Sequence, residues 1–405
     1  MEPIESHPQP SAEDAALVVV GAVDTGINPY HDQFQAPGIT LPKRFVDVHT
    51  GKPPIALRLA QEGTFDERWT SDERMWMSLE KGALYWFEGT RILAMSLNEP
   101  SPDGRINDGG SHGTEVASTL RTVSPEAWVV MIQAPNFPAR NDTTFAAFDK
   151  AAEGIQWLAE QPWIDILSLS LGIPGNPPAP VWDALEAATR AAVQAGKVVV
   201  FPAGNEPSAS IFQGTAGPPW VISAGGAEPS VQGEHATASK LVDVVADFTR
   251  VAAGREPDEY NHAHGTSFSA PEVAGNIAQA LLGLRKASNE TSAEPPGVLC
   301  VCNDTHLVVH DFREALNASA VYWNTTDWDP LNYTSTSTLD FLFNPTAPIL
   351  PTPWVQMGWG YVGNDTWRTM VDFLQGHPPP AKPDAAKQYM AAYQAAREAY
   401  WAAHG

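Results

Sequence analysis

Short, mainly apolar runs punctuate the chain at Leu17 to Val23, which is continuously apolar, and at Trp128 to Ile132, Ile164 to Leu171, Val198 to Phe201 and Val221 to Ala224. Between several of them the apolar positions fall into helical spacing, over Phe145 to Leu158 and Val181 to Ala195. A strand that is apolar at every position is buried on both faces, and strands of that kind alternating with helices specify a parallel sheet. The expected fold class is therefore α/β, a doubly wound parallel sheet with helices on both faces and its site at the carboxyl ends of the strands. The segment 51–104 interrupts this rhythm. It carries a charged helical stretch, then Leu84-Tyr85-Trp86-Phe87, a Glu88-Gly89-Thr90 turn and Arg91 to Leu97, the pattern of an inserted hairpin decorating the sheet. After the prolines of 378–383, Asp384 is placed to cap a C-terminal helix with Tyr389, Tyr393 and Tyr400 along one stripe. The expected division is a disordered segment over 1–16, a main domain over 17–375 with its insertion at 51–104, and a Pro-rich linker and C-terminal helix over 376–405.

Polar residues stand where these elements end. Asp24 closes the first apolar run, in Asp24-Thr25-Gly26, and His112 sits in Gly110-Ser111-His112-Gly113-Thr114, just ahead of the helical spacing of Val116, Ala117 and Leu120. Ser267 lies in HGTSFSAPEVAG (His264 to Gly275), where a Gly-Thr-Ser turn opens an apolar helix containing Val273, Ala274, Ile277, Leu281 and Leu282. Its place at a helix N-terminus favours developing negative charge. Ser269 falls inside the first turn, where Pro271 is tolerated because first-turn N–H groups have no helical partner. A serine nucleophile needs a base to take its proton and a buried carboxylate to orient that base. In Phe201-Pro202-Ala203-Gly204-Asn205 a strand end also presents an amide donor, suited to the oxyanion of a tetrahedral intermediate. An α/β-hydrolase is excluded, because neither its G-x-S-x-G elbow nor its Ser, acid, His order is present.

The order Asp, His, Ser and the local wording resemble the subtilisin-like serine peptidases, the subtilase family. The likeness rests on VVVGAVDTGI, GSHGTEVAS, LSLSLG, FPAGN, GPPWVISAGGA and HGTSFSAPEVAG, with FREALNASA and GWGYV further on, and runs from about Leu17 to Leu374. It implies a seven-stranded parallel sheet and an endopeptidase with Asp24, His112 and Ser267 as triad and Asn205 as oxyanion donor. It also implies that Ser170, Leu171 and Gly172 line the substrate cleft as an edge strand, and Leu171, Gly172, Ala203 and Gly204 are expected around the primary pocket. No charge is identifiable there, so an apolar or aromatic side chain is expected before the cut bond. The alternative is a weak or inactive member that keeps the fold for binding or display at a surface, which the intact four residues disfavour. Where the family commonly has further histidines, this chain has Glu115 and Glu272, three and five residues past His112 and Ser267. If their helices pack side by side, the two carboxylates are expected to share a proton.

Composition narrows the partners. With 47 acidic against 24 basic residues and a net charge of −23, the chain is repelled by nucleic acid and anionic membranes, which leaves protein or peptide substrates as the expected partners. The apolar run Ala15 to Val23 is too short to span a bilayer and lacks signal-peptide flanks. Seven Asn-x-Ser/Thr sequons, at Asn141, Asn289, Asn303, Asn317, Asn324, Asn332 and Asn364, are compatible with an extracellular setting, so localisation stays open. No cofactor is expected. Asp103 and Asp108 offer carboxylates of the kind calcium takes, but a solvated Gly-rich loop is the expected role, and His262 and His264 shape a turn rather than bind metal. Cys300 and Cys302 point to one face of a strand and are expected as unbonded core residues.

Overall fold

The computed structural model describes residues 16–98, 106–108, 111–134, 146–172, 179–205, 218–227, 242–288, 297–302, 305–321 and 359–382, with Lys387, Ala391 and Ala395 as isolated helical positions. The chain runs through β1 (Val19–Asp24), β2 (Ile55–Leu57), α1 (Phe65–Ser78), β3 (Tyr85–Phe87), β4 (Ile92–Ser96), α2 (His112–Val123), β5 (Trp128–Gln133) and α3 (Ala146–Glu160). It continues through β6 (Ile166–Ser168), α4 (Ala179–Gln194), β7 (Val198–Pro202), β8 (Ile222–Ala227) and β9 (Val244–Asp247). A hairpin of β10 (Thr249–Ala253) and β11 (Tyr260–His264) leads into the long helix α5 (Thr266–Ala287). After it come β12 (Cys300–Cys302), β13 (Thr305–Leu307), α6 (Val309–Ser319) and α7 (Thr366–Leu374). The N-terminal segment before Ala16, the tyrosine stripe of the last helix and Asp103 lie outside the described residues.

The main sheet has nine strands in the order β2-β3-β4-β5-β1-β6-β7-β8-β9. From β4 to β9 every neighbouring pair is parallel, which supplies the seven-stranded parallel sheet. The hairpin expected over 84–97 forms, with β3 antiparallel to β4, but it does more than decorate. β4 pairs along its whole length with β5, so the hairpin is continuous with the sheet and extends its edge by β3 and β2.

Alternation along β1 divides the core. Val18, Val20 and Ala22 face the side covered by α2 and α5, where they pack with Ala117, Leu120, Val273 and Ile277. Val19 and Val23 face the opposite side, against Ile155 and Leu158 of α3 and Leu185 of α4. Both faces of the sheet are thereby dry, as the unbroken apolar runs require. At β1 the chain passes from β5 on one side to β6 on the other, so Asp24 ends its strand at a topological switch, where an open α/β sheet leaves a crevice.

Two features correct the reading of the sequence. Cys300 is buried and disulfide-bonded, in a chain whose one other cysteine is Cys302. Two strand rises separate such Cα atoms by about 6.6–7 Å, at the upper edge of what a disulfide spans, so sharing a face permits the bond it was taken to oppose. Of the sequon residues, Asn317 is only 5% exposed within α6 and Asn364 is exposed, where its side-chain oxygen accepts a bond from Arg250 at 2.9 Å. The folded chain therefore offers no access for a glycan at Asn317.

Candidate active site

Two glycines let the acid turn and the base helix meet backbone to backbone. Gly26 has φ +129°, and a Cβ there would stand 2.1 Å from the Ile106 carbonyl oxygen; one on Gly113 would stand 2.2 Å from the Gly26 carbonyl oxygen. No side chain fits either place, and Asp24 and His112 come together as a result. Oδ1 of the fully buried Asp24 accepts the Thr25 N–H at 2.7 Å and lies 2.8 Å from Nδ1 of His112, the first residue of α2. An ionised carboxylate can only accept, so Nδ1 carries the proton and Nε2 keeps its lone pair for a base's work. Burial pushes the imidazole pKa down, but the Asp24 carboxylate, with Glu115 and Asp108 further off, outweighs it and holds the value above that of an ordinary histidine.

The two serines of the opening turn of α5 separate cleanly. Ser269 is fully buried, and its hydroxyl donates to the Asp247 carbonyl at 3.0 Å. Ser267, two residues earlier, is partly exposed. Its neighbour Phe268 packs against the His112 ring at 5.6 Å between centroids, with the two planes tilted by 54°, which brings the start of α5 to His112. The Ser267 carbonyl accepts the Ser170 hydroxyl at 2.7 Å. Ser170 thus turns its side chain to the serine's own peptide, and Leu171 buries its side chain in the core among Leu169 and Phe201. What residues 170–172 can offer an extended peptide is main chain. They follow β6 without continuing it as a strand.

Asn205, just past β7, is exposed, and its carboxamide is oriented by its neighbours. Oδ1 accepts both the Thr266 N–H at 2.8 Å and the Thr266 hydroxyl at 2.9 Å, and that hydroxyl accepts the Gly204 N–H at 3.1 Å. A backbone N–H can only donate, so the oxygen end of the amide is identified and the NH₂ end is left to donate beside Ser267. Gly265, at φ +136°, permits the approach, because a Cβ there would stand 3.1 Å from Asn205 Nδ2. Ala203 is buried with Ala227, Val242 and Val245, and Gly204 adopts φ +109°.

Glu115 and Glu272 do not form the expected pair. Glu272, fully buried, lies 3.1 Å from the Arg250 guanidinium and accepts the Asp247 N–H at 3.0 Å. Arg250 also bonds Asp247 at 2.8 Å, and Tyr361 donates its hydroxyl to the same carboxylate. Glu115 instead faces His112, Asp108 and Asp24. Side-by-side packing of α2 and α5 was a sound expectation, but an arginine on the hairpin, invisible to local pattern, takes one carboxylate. Burial, opposed by Arg250, pushes Glu272 up to about 8. The folded state then holds a proton that the unfolded chain, near the ordinary 4.5, releases. Stability present below the lower value should be lost as pH rises through the upper one. Denaturant midpoints measured from pH 5 to 8.5 should fall more steeply for the wild type than for Glu272→Gln; parallel curves would overturn this account.

Residues 16–334 match the model of the Subtilase family, and the chain belongs to that family. It is similar to the major intracellular serine protease of Bacillus subtilis (strain 168), 29% identical over 187 residues that make up 43% of this chain and 56% of that protein. It is also similar to subtilisin E of the same organism, 29% identical over 188 residues, 44% of this chain and 48% of that one. The chain thus spans about half the length of the curated relatives it matches. Among solved structures, a lanthipeptide protease shares the fold at a TM-score of 0.52 and 13% identity, over 90% of this chain and 89% of that one. Among the described residues no helix is long and apolar enough to cross a membrane.

Proposed function

We propose that the chain is a serine endopeptidase acting on proteins or peptides. Ser267 attacks the peptide carbonyl, and His112 takes the hydroxyl proton at Nε2 and returns it to the leaving amine. Asp24 holds the imidazole tautomer and stabilises the cation, while the Asn205 NH₂ group and the Ser267 N–H receive the oxyanion. That N–H belongs to the first turn of α5, where backbone donors have no helical partner. The observation that carries this reading is the 2.8 Å contact between His112 Nδ1 and the buried Asp24 carboxylate, with the ring packed against the residue after Ser267. The relatives named above, serine proteases of the same family, support it. An extended peptide pairing with the main chain of 170–172 would gain affinity without side-chain selectivity, so selectivity falls to the primary pocket.

The test is labelling with a fluorophosphonate followed by peptide mapping. A single adduct on Ser267, blocked when His112 is replaced by alanine, is expected. A folded protein that takes no label would support instead a family member that has kept the fold for binding.

A further inference from the structure

The loop before His112 was expected to be a solvated turn with some capacity for calcium, yet Asp108 within it makes three bonds to the acid turn and the base helix. Thr114 donates its N–H to one carboxylate oxygen at 3.0 Å and its hydroxyl to the other at 2.6 Å. From the opposite side the Thr25 hydroxyl donates at 3.2 Å. Both hydroxyls are fixed in direction, because each also accepts a backbone N–H. Thr25 takes that of Gly113 at 2.9 Å, and Thr114 takes that of Asn28 at 2.8 Å.

The arrangement solves a problem that α2 would otherwise have. The first N–H groups of a helix need acceptors from outside it, usually from the N-cap side chain. Here the N-cap residue, Ser111, makes no side-chain cap bond. The N–H groups of Gly113 and Thr114 are capped instead by Thr25, which follows Asp24, and by Asp108. The cap that starts the base helix is therefore the same network that anchors the acid's turn.

We infer that Asp108 is a positioning residue for the catalytic pair, its carboxylate locking the Asp24 turn to the first turn of the helix that carries His112. The inference rests on the assignment of Asp24, His112 and Ser267 made above. An ionised carboxylate suits the position because it accepts from every side. An asparagine would set an NH₂ group against one of these donors. The charge also reaches the base: Asp24, Asp108 and Glu115 are the carboxylates that raise the His112 pKa against burial.

Two variants separate position from charge. Asp108→Asn should slow fluorophosphonate labelling of Ser267 by roughly ten- to a hundredfold, the scale of a small misplacement of reacting groups. It should also lower the pH at which the His112 ring titrates, followed by NMR and assigned from the signal missing in His112→Gln. Thr114→Val removes the hydroxyl but keeps the charge. It should slow labelling as well and leave the His112 titration where it was. Wild-type labelling rates in both variants, or an unmoved titration in a folded Asp108→Asn protein, would overturn the inference. Should Asp108→Asn fail to fold, a wild-type rate in Thr114→Val overturns it alone. A wild-type protein that takes no label would sink the assignment of Ser267, while the His112 titration would still decide the role of Asp108.

Discussion

Ser267→Ala is expected to lower turnover by about 10⁶, a magnitude borrowed from subtilisin, the family member in which such a loss is the standard case, while Ser269→Ala should leave turnover within about tenfold. The two serines lie two positions apart on α5 and differ in what surrounds them. Ser269 has no exposed surface, and its hydroxyl is committed to the Asp247 carbonyl. Removing it deletes one buried hydrogen bond, a loss of about 1 kcal/mol of stability, with the reacting groups still in place. Ser267 is partly exposed, its own carbonyl is held by Ser170, and the following Phe268 leans on the His112 ring. Turnover of a peptide substrate and fluorophosphonate uptake, measured side by side, decide the point. Label retained by Ser267→Ala would move the nucleophile elsewhere, and a Ser269→Ala protein as inactive as Ser267→Ala would show that the burial argument fails.

What could be read from the sequence, and what could not, divides by range. The run into Asp24, the Gly-Thr-Ser entry to α5 and the FPAGN turn are local signals, each written within a few residues by burial, by a turn or by the needs of a helix terminus. Together with the family resemblance they name the four candidate site residues. The features that hold those residues in place are long-range. Asp108 meets Thr25 across 83 positions, Ser170 meets the Ser267 carbonyl across 97, and Arg250 takes Glu272 across 22. Nothing in the periodicity of either partner announces such a contact. Ser170 shows the consequence, since nothing in LSLSLG announces that its hydroxyl is engaged with the peptide of Ser267. The hairpin at 84–97 was legible as a hairpin, but its union with the sheet depends on β5, more than thirty positions further along the chain, and only the fold reveals it.

Asn205→Ala should lower kcat by about 10²–10³ with KM little changed, a size for which subtilisin is itself the measured case and which is carried over from that relative. The local geometry gives the reason for the direction. Thr266 supplies two donors to Oδ1, so the amide cannot turn over, and its NH₂ group is aimed before any substrate arrives. A donor fixed in advance costs no reorganisation when charge develops, and it gains most where the oxygen becomes an oxyanion. A ground-state carbonyl, less charged and differently placed, gains little, so affinity should survive the loss. Thr266→Ser offers a control. It keeps both donors to Oδ1, so turnover should stay close to wild type, whereas Thr266→Val keeps only the N–H and should lose part of what Asn205→Ala loses. If Asn205→Ala raised KM and left kcat untouched, the amide would be binding the ground state, and the oxyanion would have to be held by backbone donors alone.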